Sequence, residues 1–135
     1  MSFEIIDFHT HPFINEENNI CSYRECCGMS ADNTLHVFNQ MGVSKICGSV
    51  ISRNNTKFET YWDKIKSNND IALELKDYYD GFYIPGFHVH PDFVEESINE
   101  IKRMHQNDIN LIGELVPYFD GWVSRFNIAV IFKCL

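Results

Sequence analysis

Lys45-Ile46-Cys47-Gly48-Ser49-Val50-Ile51 decides how the rest of the chain is read. It is a continuous run of small and β-branched residues without polar alternation, the pattern of a strand covered on both faces, and strands of that kind pair in parallel. Upstream, Thr34-Leu35-His36-Val37-Phe38-Asn39-Gln40-Met41 carries apolar residues at 35, 38 and 41 on one helical face. Ser30-Ala31-Asp32-Asn33 before it suits an N-cap, and Gly42 suits the closing position. Further back, residues 14–29 show no period and read as a loop, and Phe3-Glu4-Ile5-Ile6-Asp7-Phe8 reads as a first strand. Downstream of a polar break at 52–56, residues 61–79 hold Trp62, Ile65, Ile71, Leu73, Leu75 and Tyr78 among charges. They predict one helix broken near Ser67-Asn68-Asn69-Asp70, or two short ones, ended by Gly81. A third strand covers Phe82-Tyr83-Ile84-Pro85-Gly86-Phe87-His88-Val89, with Pro85 expected to weaken its ladder. Pro91-Asp92 opens a helix whose buried stripe is Phe93, Val94, Ile98, Ile101 and Met104, leaving Glu95, Glu96, Glu100, Lys102 and Arg103 to water. Ile109-Asn110-Leu111-Ile112-Gly113-Glu114-Leu115-Val116 is a fourth strand.

Strands alternating with helices in this way make an α/β chain with a parallel sheet. An open doubly wound sheet and part of an eight-stranded barrel both fit four such units. No Gly-x-Gly-x-x-Gly turn follows the first strand and no Gly-Lys-Ser or Gly-Lys-Thr occurs, which counts against the nucleotide-binding version.

The 135 residues are 44% hydrophobic and 22% charged, the make-up of a single globular domain over 1–135. No apolar run approaches the roughly 20 residues that span a bilayer, and residues 1–7 lack the basic start of a signal peptide, so a cytoplasmic chain with no membrane partner is expected. Eleven basic against nineteen acidic side chains leave a formal charge of −8, which argues against nucleic acid as a partner. The five cysteines are an odd set without an export signal and read as free thiols. Cys21, Cys26 and Cys27 lie close enough in sequence to hold a soft metal, but the second Cys pair of a structural zinc site does not occur.

His9-Thr10-His11 stands where the first strand ends. Residues two apart share a strand face with Cα atoms roughly 6 to 7 Å apart, so both imidazoles can converge on one cation. The carboxyl ends of parallel strands are also where α/β active sites are built. A structural pair satisfied by hydrogen bonds is the competing reading. His88-Val89-His90-Pro91 repeats the spacing after the third strand. There the functional reading is a second metal-ligand pair or a substrate-contacting pair, with His90 nearer the mouth to donate to a substrate oxygen or orient a ligand, and the plainer alternative is one buried, hydrogen-bonded histidine beside one exposed histidine. Glu114 sits among apolar residues, where an unpaired carboxylate is costly; a cation shared with His9 and His11, or a salt bridge, would supply its partner. His36 and His105 lie on helices and read as surface residues, and Asp7 as an aid in fixing a histidine tautomer.

Phe3-Glu4-Ile5-Ile6-Asp7-Phe8-His9-Thr10-His11-Pro12-Phe13, Gly42-Val43-Ser44-Lys45, Phe87-His88-Val89-His90-Pro91 and Ile112-Gly113-Glu114-Leu115 together resemble the N-terminal half of the amidohydrolase superfamily. The similarity is closest to the amidohydrolase-related branch that includes metal-dependent decarboxylases; metal-dependent DNases share the same opening. It covers about residues 3–122. The resemblance implies a TIM-type (β/α) barrel, of which this chain would hold the first four βα units. It also implies a divalent metal, commonly zinc, that activates water toward an amide, ester or related bond of a small-molecule substrate. By position, His9 and His11 match the first-strand metal ligands and Glu114 the acidic ligand of the fourth strand. The family also takes histidines from its fifth and sixth strands and an aspartate from its eighth, within a barrel of about 250 residues. The expectation is therefore a truncated hydrolase, with residues 123–135 departing from the family pattern and Asp120 a poor substitute for the missing base. Such a half would pair with its missing half or with a second copy of itself. The alternative from another class is a non-catalytic α/β interaction module whose histidines serve packing.

Overall fold

Each of the first three strands is followed by a helix that returns the chain to the start of the next strand. In a computed structural model, which describes residues 3–12, 31–51, 58–113 and 115, the elements are β1 (Ile5–Asp7), α1 (Ala31–Gln40), β2 (Val43–Ser49), α2 (Tyr61–Tyr78), β3 (Tyr83–Phe87), α3 (Val94–Gln106) and β4 (Leu111–Ile112). The chain is α/β, and its four strands form one curled, all-parallel sheet in the order β1-β2-β3-β4, each beside its predecessor in sequence. A helix for a fourth unit would fall outside the described residues.

One face of the sheet carries the core. Ile46 and Val50 of the β2 segment pack with Leu35 and Phe38 of α1 and with Ala72 and Leu75 of α2. Phe87 and Val89 meet Ile101 and Met104 of α3, Ile109, and Leu73 of α2. These β2 and β3 residues alternate along their strands, so α1, α2 and α3 all line the same face.

Four expectations are revised by the packing. α2 runs unbroken through Ser67-Asn68-Asn69-Asp70, started by a capping box in which Thr60 and Asp63 satisfy each other's backbone N–H groups. Asn68 and Asn69 do not break it because they share the buried stripe of Ile65, Ala72 and Leu75, from which Asn69 bonds to His88 and Glu100. On α3, Glu100 is only 3% exposed, contrary to its expected place in water, because Arg103 and Asn69 pair with its carboxylate. Met41 lies past the end of α1 and is exposed rather than part of its apolar stripe. Pro85 costs no ladder bond to β2: Ile46 N–H donates to Phe82 O, and Gly113 N–H to Phe87 O. Even-numbered β3 residues thus bond toward β2 and odd ones toward β4, whose pairing starts only at Gly86.

Strand backbones approach closely toward the carboxyl ends. A Cβ on Gly48 would lie 2.0 Å from Thr10 O, and one on Gly86 would lie 2.3 Å from Gly113 O. Among the described residues no helix is long and apolar enough to cross a membrane.

Candidate functional site

The parallel arrangement brings the ends of β1, β2 and β3 to one edge, and with them His9, His11, His88 and His90. Thr10 fastens the first pair. Its N–H and its Oγ1 both donate to Cys47 O, at 3.0 and 3.1 Å. Asp7 acts on the main chain of the same segment, accepting the His9 backbone N–H at 2.9 Å. The His9 and His11 rings then stand edge to face, with centroids 5.2 Å apart.

That spacing can be tested against a metal. Two imidazoles on one tetrahedral zinc, with Zn–N near 2.1 Å and a ring radius near 1.1 Å, place their centroids about 5.2 Å apart. The protonation pattern fits as well. His11 Nδ1 lies 2.9 Å from Ser49 O, and a carbonyl only accepts, so Nδ1 carries the proton and the lone pair of the neutral ring is on Nε2. A histidine bonded in this way to a main-chain carbonyl is oriented as metal-bound histidines usually are. The pair is nevertheless short of a full set. Among the described residues, no group of three or more His, Cys, Asp or Glu side chains is placed to hold a metal ion. Glu114, the expected third ligand, lies outside the described residues, as do Asp120, Cys21, Cys26, Cys27 and Cys134. Cys47 is buried, and that burial, with the nearby Asp7 charge, raises its thiol above the ordinary value and keeps it protonated.

Both rings of the second pair carry their proton on Nε2, the opposite of His11. His88 Nε2 donates to Val50 O at 3.1 Å, so β2 serves both neighbours: its Ser49 carbonyl takes His11 and its Val50 carbonyl takes His88. His90 Nδ1 accepts the Asp92 backbone N–H at 3.1 Å, which puts the proton of the neutral ring on Nε2. That excludes Nε2 of neutral His90 as a metal donor and makes it a hydrogen-bond donor, the chemistry of a substrate contact. His90 is the more buried of the two and packs edge-on to Tyr61 and, at a tilt, against Phe93. His36 and His105 are exposed, as expected of helix-surface residues; the His105 ring contacts Asn110.

Sequence reading missed the residues behind the second pair. Asn69 and Ser97, both fully buried, bond to the main chain of His88 and His90 respectively. Behind Asn69, Glu100 is held by Arg103, whose Nη1 pairs with Asp70 at 2.8 Å. Helical spacing marks these positions, since Ser97, Glu100, Ile101 and Met104 share one stripe of α3, but their polarity hides them from a search for apolar faces. No family model, curated protein or solved structure matches the chain.

Proposed function

We propose that this chain carries the first-strand metal ligands of a metal-dependent hydrolase of the amidohydrolase kind, built on a TIM-type (β/α) barrel of which it holds the first four units. The observation that carries the reading is the His9–His11 pair: ring spacing suited to one tetrahedral ion, a His11 tautomer with its lone pair on Nε2, and a position at the carboxyl end of a parallel strand. Strand order supports the barrel. A doubly wound sheet reverses its order beside the first strand and carries helices on both faces, whereas here consecutive strands are neighbours and the helices share one face.

A divalent ion, zinc by its preference for imidazole and carboxylate donors, would supply Lewis acidity toward an amide, ester or related bond of a small molecule, or for decarboxylation. His9 and His11 would hold it, with Glu114 as third ligand. His90 would donate from Nε2 to a substrate oxygen. Remaining ligands and the general base would come from residues outside those described, from a partner chain carrying the remainder of the barrel, or from a second copy.

Calorimetry with zinc tests the reading. The purified chain should bind zinc weakly, His9→Ala combined with His11→Ala should abolish binding, and His36→Ala should leave it unchanged. Equal affinity in the double variant would sink the assignment and return the chain to a non-catalytic α/β interaction module.

A further inference from the structure

Beyond Phe87, the last residue of β3, the chain leaves the sheet, yet two buried side chains go on doing what a neighbouring strand does. Asn69 Oδ1 accepts the His88 N–H at 2.8 Å, and its Nδ2 donates to His88 O at 3.0 Å. Ser97 Oγ accepts the His90 N–H at 3.0 Å and donates to His90 O at 3.0 Å. Each helix thus contributes one side chain that holds both polar groups of one residue, and both of those residues are histidines. Val89 between them packs into the helix-side core.

Asn69 is itself held. Its second amide hydrogen goes to Glu100 Oε1 at 2.9 Å, and Arg103 Nε donates to Glu100 Oε2 at 2.9 Å. A buried network with every bond made fixes geometry, and one with a missing partner is costly. The ring contacts depend on that frame, because the His88 Nε2–H bond to Val50 O and the Asp92 N–H bond to His90 Nδ1 need both residues in place.

We propose that Asn69 and Ser97 are positioning residues that hold His88 and His90 as a rigid pair at the strand ends, each ring fixed with its proton on Nε2. What the pair acts on rests on the hydrolase reading; the test does not, because it reads the rings without metal or substrate.

The experiment uses the full chain, metal-free and labelled with ¹⁵N-histidine, and follows the ring nitrogens and the backbone amides. Wild type should show His88 and His90 as single Nε2–H tautomers. Ser97→Ala should move the His90 ring signals toward tautomer averaging and cost its amide roughly tenfold in exchange protection. Asn69→Ala should do the same to His88, while His36 stays unmoved in both. Ser97→Thr, which keeps the hydroxyl, should restore the wild-type His90 signature. Met104→Ala, a core deletion on α3 that leaves both clamping side chains in place, should lower stability without moving either ring. Ring signals unchanged in both alanine variants, or shifted equally by Met104→Ala, would overturn the proposal. Should the alanine variants fail to fold, wild type decides, since a mixed or Nδ1–H tautomer at His88 and His90 would equally overturn it. Loss of the zinc reading with the ring effects intact would separate the two ideas.

Discussion

Gly48→Ala is the sharpest test of how the strand ends are held. The added Cβ would sit 2.0 Å from Thr10 O, at a residue whose φ of +151° L side chains rarely adopt. Backbone held in that region costs a non-glycine residue about 1 to 3 kcal/mol. Thr10 must also withdraw by about 1 Å or more to restore van der Waals contact, and it is tied to Cys47 O by its N–H and its Oγ1. Losing both bonds adds about 0.5 to 1.5 kcal/mol each, for a total near 4 kcal/mol out of the roughly 5 to 15 that hold a domain together. Gly81→Ala is the control. It too has positive φ, +75°, but nothing lies within 4 Å of its added Cβ, so only the left-handed backbone cost of about 1 kcal/mol applies. In urea, with a slope near 2 kcal/mol/M, the midpoints should fall by about 2 M for Gly48→Ala and about 0.5 M for Gly81→Ala. Because Thr10 stands between His9 and His11, Gly48→Ala should also weaken zinc binding in the fraction that remains folded. Equal midpoint losses in the two variants would refute the close approach of β2 to the His9-Thr10-His11 segment.

Arg103→Met should destabilise the chain by about 3 kcal/mol in the same assay, since it leaves the Glu100 carboxylate buried with only Asn69; Arg103 is 30% exposed, which puts the cost at the low end for a broken buried pair. Burial, helped by neighbouring Tyr78 and Asp32, pushes Tyr79 up to about 12 from an ordinary 10, so the folded chain keeps a proton that the unfolded chain gives up. Stability should be whole below pH 10 and fall as pH rises from 10 to 12; Tyr79→Phe should flatten part of that fall, the rest belonging to Tyr83, which burial also raises. β1 is one edge of the described sheet, with Phe3 and Phe8 87% and 71% exposed near it, so sedimentation at micromolar concentrations should show self-association that Phe8→Lys weakens; a monodisperse wild-type monomer would count against it.

The α/β alternation was legible because it rests on burial that residue type reports directly. Ile46 and Val50 on β2, or Ile101 and Met104 on α3, are apolar and lie where their spacing puts them. Glu100, Asn69 and Ser97 were not legible for the opposite reason. They occupy stripe positions on α2 and α3, but a carboxylate, amide or hydroxyl is buried only when the fold brings it a partner, and for Asn69 and Glu100 a decisive partner comes from a distant part of the chain. Asn69 meets His88 across 19 residues and Glu100 across 31. The His-x-His pairs could be seen in sequence, whereas the tautomers of His11, His88 and His90 could not, because they depend on which main-chain carbonyl or N–H faces each ring.

The two histidine pairs, alike in spacing, are divided by their surroundings. His11 donates its Nδ1 proton to a main-chain carbonyl, which puts the lone pair of the neutral ring on Nε2, while His90 accepts a backbone N–H at Nδ1, which puts its proton on Nε2. The investment differs as well. β1 holds its pair by strand-end backbone bonds and the Asp7 carboxylate, but β3 holds its pair by two fully buried polar side chains from two helices. A metal ion, once bound, would itself fix the orientation of His9 and His11. On the proposed reading the His88 and His90 rings are aimed instead by Val50 O and the Asp92 N–H, on a main chain that Asn69 and Ser97 hold, and that is where the buried polar residues of α2 and α3 act.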